Sequence, residues 1–218
     1  MEKFNLHIQD LTWGYNGNAL LSHAFSTQVQ LGDFVALLGA NGTGKSTLLR
    51  VIGAIEKPLS GSIFSSISSG VHPSECAFVF AQRPLIPYLT VEKLVYLGTE
   101  SFLKQLDKDP REIQSILQKM KMEGYEKRYV DTLSDGEFQK VMIARALLQN
   151  KHILILDEPT AFLDYPSKKM LFELLQNVAR EEQKIIIMST HEPELAYQYA
   201  NKFWEIEKGE LQERKKGE

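Results

Sequence analysis

One cysteine in 218 residues, Cys76, leaves no internal disulfide to form, and its apolar neighbours mark it as a small buried side chain in a reducing compartment. No apolar run approaches the roughly 20 residues of a membrane helix. The start Met1-Glu2-Lys3-Phe4-Asn5 lacks the charged-then-apolar pattern of a signal peptide. An excess of basic charge is missing too. Against 28 Asp and Glu stand 25 Lys and Arg, a formal net charge of −3, so the balance gives no argument for nucleic acid. Internal repeats and low-complexity segments are absent as well. Together these absences predict a cytoplasmic domain whose only route to a membrane is a partner.

What is present is concentrated in a few short runs. Gly39-Ala40-Asn41-Gly42-Thr43-Gly44-Lys45-Ser46-Thr47 follows the apolar Phe34–Leu38 and precedes the apolar Leu48–Ile52. That is the strand, glycine-rich turn and helix start of a phosphate-binding P-loop. Its glycines let backbone N–H groups converge, and the helix dipole adds partial positive charge. Lys45 is expected to reach the β- and γ-phosphates, and Ser46 to ligate magnesium. Four such fixed positions recur by luck in about one chain in a hundred of this composition, and correct flanks make luck rarer. The chain is expected to bind a nucleoside triphosphate.

Length allows one sizeable domain, or one with an inserted lobe. Residues 4–11 and 19–29 alternate like half-buried strands, with Gly14, Asn16, Gly17 and Asn18 punctuating between them. The P-loop helix is predicted to run to about Ala54, a short strand to cover 62–67, and Cys76–Ala81 to be an apolar strand. From Gln82 the pattern turns helical, over 90–98, 101–107 and 110–122. Strand signals return at Ile153–Leu156 and 184–189, with helices near 166–182 and from Glu192, and a hairpin around Gly209. The fold class predicted is α/β, with an N-terminal antiparallel β part and a helical lobe at about 83–150 inserted into a core of 1–82 and 151–218.

Two further runs carry chemistry. Ile153–Leu156 leads into Asp157-Glu158-Pro159-Thr160, so a buried parallel strand would end in acid beside the phosphates. Asp157 suits magnesium, and Glu158 is placed to polarise an attacking water. Leu133-Ser134-Asp135-Gly136-Glu137 has a serine N-cap and a glutamate three residues on, a capping box. It also offers Ser134 and backbone N–H groups to an anion.

The order of P-loop, Gln82, Leu-Ser-Asp-Gly-Glu, Ile-Leu-Ile-Leu-Asp-Glu-Pro-Thr, Phe162-Leu163-Asp164 and Ser189-Thr190-His191 resembles the ATP-binding-cassette (ABC) ATPase family over nearly the whole chain. The resemblance implies a P-loop NTPase core and a head-to-tail homodimer. Two ATP molecules with Mg2+ are then held between one subunit's P-loop and the other's signature segment, Ser134 and Gly136. It implies that Tyr15 stacks on adenine, and that Gln82 contacts magnesium or the attacking water and senses a permease. It further implies that Asp164 communicates between sites and that His191 contacts the γ-phosphate. Nucleotide contacts fall on Gly39, Asn41, Gly42, Gly44, Lys45, Ser46 and Thr47. The expected catalytic set is Lys45, Gln82, Glu158 and His191, and the expected metal set Ser46, Gln82 and Asp157.

The signature run departs from the family pattern, with Asp135 where a glycine is usual and Glu137 where Gln is commoner. That variant and the segment Leu89–Gly98 resemble iron-siderophore and cobalamin importers. The resemblance therefore implies an ATPase subunit on the cytoplasmic face of a membrane, bound to transmembrane permease subunits and touching neither solute nor nucleic acid. A modular exporter and a soluble ABC ATPase are the alternatives. Arg83, Leu85 and Tyr88 are the candidate permease contacts.

Overall fold

A computed structural model of the chain describes residues 4–15, 18–20, 23–66, 70–71, 73–84, 87–99 and 110–217. Three expectations lie outside these residues: the turn residues Asn16 and Gly17, the helix at 101–107, and Leu85.

The architecture follows from strands with no polar face. β8 (Ile153–Asp157) and β9 (Ile185–Ser189) are buried at every position, and β5 (Phe34–Gly39) at all but its last. Strands apolar on both sides belong in the middle of a parallel sheet covered on both faces. These three lie side by side in a six-stranded sheet, β11-β10-β5-β9-β8-β7, with β7 (Cys76–Val79), β10 (Lys202–Glu207) and β11 (Glu210–Lys215). All its pairs are parallel except the closing β10–β11 hairpin.

The period of two divides the core. Phe34, Ala36, Leu154, Leu156, Ile186 and Met188 face one cluster, and Val35, Leu37, Ile153, Ile155, Ile185 and Ile187 face the other. The second cluster is closed by α1 (Lys45–Ile52) and by an antiparallel sheet of β1 (Asn5–Thr12), β4 (Phe25–Gln30) and β6 (Ser60–Ser65). β1 bulges between Ile8 and Leu11. There Asp10 takes φ 48°, and a Cβ on Gly61 would stand 2.3 Å from the Asp10 carbonyl oxygen, so only glycine fits.

The first cluster is closed by α5 (Tyr165–Glu181), α6 (Pro193–Tyr199) and the helices between β7 and β8. Among the described residues these are α2 (Val91–Tyr96), α3 (Pro110–Lys119) and α4 (Asp135–Leu148). α4 buries residues around most of its circumference because α2, α3 and β7 all pack on it. Among the described residues no helix is long and apolar enough to cross a membrane.

Some boundaries differ from the sequence reading. The stretch 19–29 is not one strand. β2 (Gly14–Tyr15) pairs with β3 (Asn18–Ala19), and only 25–30 joins the sheet. α1 stops at Ile52, where the Gly53 N–H closes on the Leu49 carbonyl and Ala54 takes φ 54°. β7 ends at Val79, two residues early, and Phe80 stacks on Phe78 instead of continuing the ladder.

Candidate functional site

Parallel register brings the chemistry together. β5, β9 and β8 are adjacent, Leu37 pairs with Ser189, and Ser189 pairs with Asp157. The carboxyl ends of three neighbouring strands therefore deliver the P-loop, Ser189 and Asp157 to one edge, where ligands of open α/β sheets bind.

Within the P-loop, Gly39, Gly42 and Gly44 have φ values of 155°, 78° and 92°, and the left-handed Gly44 caps α1. A Cβ on Gly44 would meet Leu20 Cδ1 at 2.5 Å and Trp13 Nε1 at 3.1 Å. The fully buried Trp13 donates from Nε1 to the Gly44 carbonyl at 3.2 Å, anchoring the loop from the antiparallel layer. Lys45 is buried, and its Nζ donates to the carbonyls of Gly39 (2.9 Å) and Ala40 (3.0 Å). Burial lowers the Lys45 pKa, while the charges of Glu158 and Asp157 pull it back up. Thr47 is buried, and Asn41 is exposed. A cleft of about 540 Å³ bordered by Gly39, Ala40, Thr43, Thr190 and His191 leaves the loop open to solvent.

A hydrogen-bond chain runs from the loop across the sheet edge. Ser46 Oγ donates to Asp157 Oδ1 at 3.0 Å, and Ser189 Oγ donates to the same oxygen at 2.8 Å. The Glu158 N–H donates to Ser189 Oγ at 2.9 Å, and His191 Nε2 stands 2.9 Å from Glu158 Oε1. Glu158 takes φ 48°, a left-handed conformation that costs a non-glycine residue about 1–2 kcal/mol. The strand thus turns sharply after Asp157, and the two adjacent carboxylates serve different neighbours.

Ser134 and Gly136 stand in a second cluster. Ser134 is the N-cap of α4, and its capping box with Glu137 is complete: Ser134 N–H and Oγ donate to Glu137 Oε2 at 2.8 and 3.0 Å, and Glu137 N–H donates back at 3.3 Å. Tyr125 hydroxyl donates to Glu137 Oε1 at 2.7 Å. That bond first, then the Ser134 N–H, pushes the Glu137 carboxyl down to about 2. A Cβ on Gly136 would approach the Phe162 carbonyl oxygen to 2.7 Å, so α4 and the 160–164 loop touch there through backbone. Asp164 caps α5 through the Ser167 N–H at 3.0 Å, and Ser167 holds its carboxyl below the usual value.

The remaining candidates divide. Gln82 is exposed, just past β7. Tyr15 lies in β2, two residues after Trp13, which anchors the P-loop. Arg83 bonds Asp135 and the carbonyls of Val130 and Leu133. Tyr88 is 85 % exposed. Sequence reasoning missed the roles of Ser189 and Trp13 and the partners of Arg83. Ser189 was visible as the start of the Ser-Thr-His run, but its bridging role needed the β8–β9 register.

The profile of the family described as ABC transporter matches residues 22–161. The chain belongs to the ABC transporter family. It is an ATP-binding cassette of that family, with an ATPase domain's P-loop fold. The spermidine/putrescine import ATP-binding protein of Mycoplasma capricolum is 33 % identical, over 98 % of this chain and 62 % of its own length. The chain thus spans under two thirds of that relative. A Staphylococcus aureus ATP-binding protein named for hemin import is 34 % identical, over 84 % of this chain and 87 % of its own. A solved ATP-binding cassette, dimeric in a post-hydrolysis state with ADP and Pi, is 25 % identical with a TM-score of 0.84, covering 97 % of this chain and 98 % of that one.

Proposed function

We propose that the chain is the ATP-hydrolysing subunit of an ABC transporter, working as a head-to-tail homodimer on the cytoplasmic face of a membrane, bound to permease subunits. The observation that carries this reading is the continuous path Ser46–Asp157–Ser189–Glu158–His191 across three strand ends. It joins a phosphate cradle to a carboxylate and an imidazole at one edge.

ATP would sit on the P-loop N–H groups, with Tyr15 on adenine and Gly39, Asn41, Gly42, Gly44 and Thr47 shaping the cradle. Lys45, now on two loop carbonyls, would turn to the β- and γ-phosphates. The Ser46 hydroxyl and the Asp157 carboxylate, 3.0 Å apart, form the paired hard-oxygen set that suits Mg2+. No group of three or more His, Cys, Asp or Glu that could hold a metal occurs among the described residues, which fits an ion that keeps water and phosphate oxygens as its other ligands. Ser46, Asp157 and, from its loop, Gln82 would hold the ion, which supplies charge neutralisation at the phosphates.

Glu158 would take the proton of the attacking water, with His191 fixing its carboxylate and reaching the γ-phosphate. Ser134 and Gly136 of the opposite subunit would complete the site, Asp164 would link the two sites, and ATP binding would close the dimer. The helical lobe at about 83–150 would dock the permease.

Within that role the cargo read from Asp135 and the segment 89–98 is an iron chelate or cobalamin. The hemin-named relative supports the iron-chelate reading, and the polyamine-named relative favours a second cargo class. The test is purification from native membranes with crosslinking, followed by uptake in a strain lacking the subunit. A polytopic membrane protein and lost chelate uptake support the reading. Ribosomal proteins or nucleic acid alone would overturn the transporter role, and lost polyamine uptake would replace the cargo.

A further inference from the structure

We propose that Arg83 and Asp135 form a latch that ties the loop carrying Gln82 to the start of α4, and that Arg83 is thereby a positioning residue for Ser134 and Gly136. The inference rests on the head-to-tail dimer described above.

One guanidinium makes four contacts with the segment 130–138. Its Nη1 donates to Asp135 Oδ1 at 2.8 Å and to the Leu133 carbonyl at 3.0 Å. Its Nη2 donates to the Val130 carbonyl at 3.0 Å, and Cζ lies 4.6 Å from the centre of the Phe138 ring. These partners bracket Ser134 in the chain: two carbonyls before it, a carboxylate immediately after it, and a ring one helical turn on. A lone exposed ion pair would fix little. A planar fork held by two carbonyls, a carboxylate and an aromatic face fixes both position and orientation. The Arg83 side chain is 29 % exposed, against 56 % for Asp135, so the guanidinium is the more enclosed partner.

The latch accounts for a carboxylate where the family has glycine. At the first position of α4, Asp135 suits the helix dipole but would repel a triphosphate offered to Ser134 and Gly136. Paired with Arg83, it presents little net charge. Because Arg83 follows Gln82 directly, displacement of the Gln82 loop pulls on the segment that caps the opposite subunit's ATP. Nucleotide contact at Gln82 and signature posture become one event.

The test uses full-length protein in the Glu158→Gln background, with the Mg-ATP concentration for half-maximal dimerisation read by light scattering. Arg83→Ala should raise that concentration by about tenfold, as loss of a charge-assisted anchor does. Its effect should shrink to within about threefold when Asp135 is Asn, a non-additive cycle. Arg83→Lys should fall between. ATP affinity of the monomer and the urea midpoint of Arg83→Lys and Asp135→Asn should stay at the parent's values, which separates positioning from folding. Equal ATP requirement for parent and Arg83→Ala, or additive effects of the two changes, would overturn the latch alone. A Glu158→Gln parent that never dimerises would overturn the dimer reading and the latch with it.

Discussion

Ser189 Oγ donates to Asp157 Oδ1 at 2.8 Å and accepts the Glu158 N–H at 2.9 Å, so one hydroxyl orients the side chain of Asp157 and the backbone of Glu158. Ser189 is fully buried on β9, paired with Asp157 of the neighbouring strand, and ties the two adjacent acidic residues to one hydroxyl. Partners that orient a ligand or base without touching substrate commonly change activity 10–100-fold when removed.

Ser189→Ala is therefore expected to lower steady-state phosphate release by about 10–100-fold. Stability should fall by about 1–3 kcal/mol, because the Glu158 N–H loses its acceptor in a part-buried place. Nucleotide binding through Lys45 should persist. Phosphate release and urea unfolding on the same sample check both halves.

A second expectation concerns Gly98, the end of the segment that resembles iron-chelate importers. A Cβ there would stand 2.4 Å from the Arg145 carbonyl oxygen and 2.8 Å from Arg145 Cγ. The glycine is thus required by the contact of α2's end with α4, whatever the cargo. Gly98→Ala should destabilise the protein by about 1–3 kcal/mol through overpacking, with the ATP affinity of the folded monomer unchanged. Thermal unfolding beside nucleotide titration measures each.

Acid should reveal the capping box. The Glu137 carboxyl is pushed down to about 2 from an ordinary 4.5, chiefly by the Tyr125 hydroxyl and then the Ser134 N–H. A depressed folded-state value means stability that is fully present above the unfolded value and lost as pH falls through the folded one. The stability difference between the native chain and Glu137→Gln should be constant from pH 7 to about 5 and shrink between about 4.5 and 2. Denaturant unfolding of both proteins at intervals across that range gives the curve. A difference that is already gone at pH 4 would contradict the hydrogen-bonding assigned to Glu137.

The parts legible in the sequence are those set by contiguous residues. A strand apolar on both faces, a glycine turn and a helix start are adjacent in the chain, so β5, the P-loop and α1 can be read directly. The same holds for Ile153–Asp157 and for the Ser134 cap with Glu137 three residues on. Relationships fixed by tertiary register were not legible. Ser189 lies 32 residues from Asp157, and only the β8–β9 pairing brings them together. Arg83 looks like an exposed loop cation, since its partners at 130–138 sit about 50 residues downstream. Trp13 gave no signal that its indole would hold Gly44 across 31 residues. The stretch 19–29 misled because its alternation runs on past Ala19, where β3 ends, whereas β4 begins only at Phe25. The left-handed φ at Glu158 has no sequence mark, because strain there is imposed by the strand end and held by Ser189 and His191.

The central claim is that Glu158 acts on water in a dimer that ATP has closed, and Glu158→Gln tests it most directly. The change removes the base while keeping the shape, and loss of a general base typically lowers the rate by about 10²–10⁴-fold with binding retained. Light scattering with and without Mg-ATP should show Glu158→Gln doubling in mass and staying dimeric, while Lys45→Ala binds ATP poorly and stays monomeric. A Glu158→Gln protein that remains monomeric at saturating Mg-ATP, or that hydrolyses at the native rate, would contradict the account.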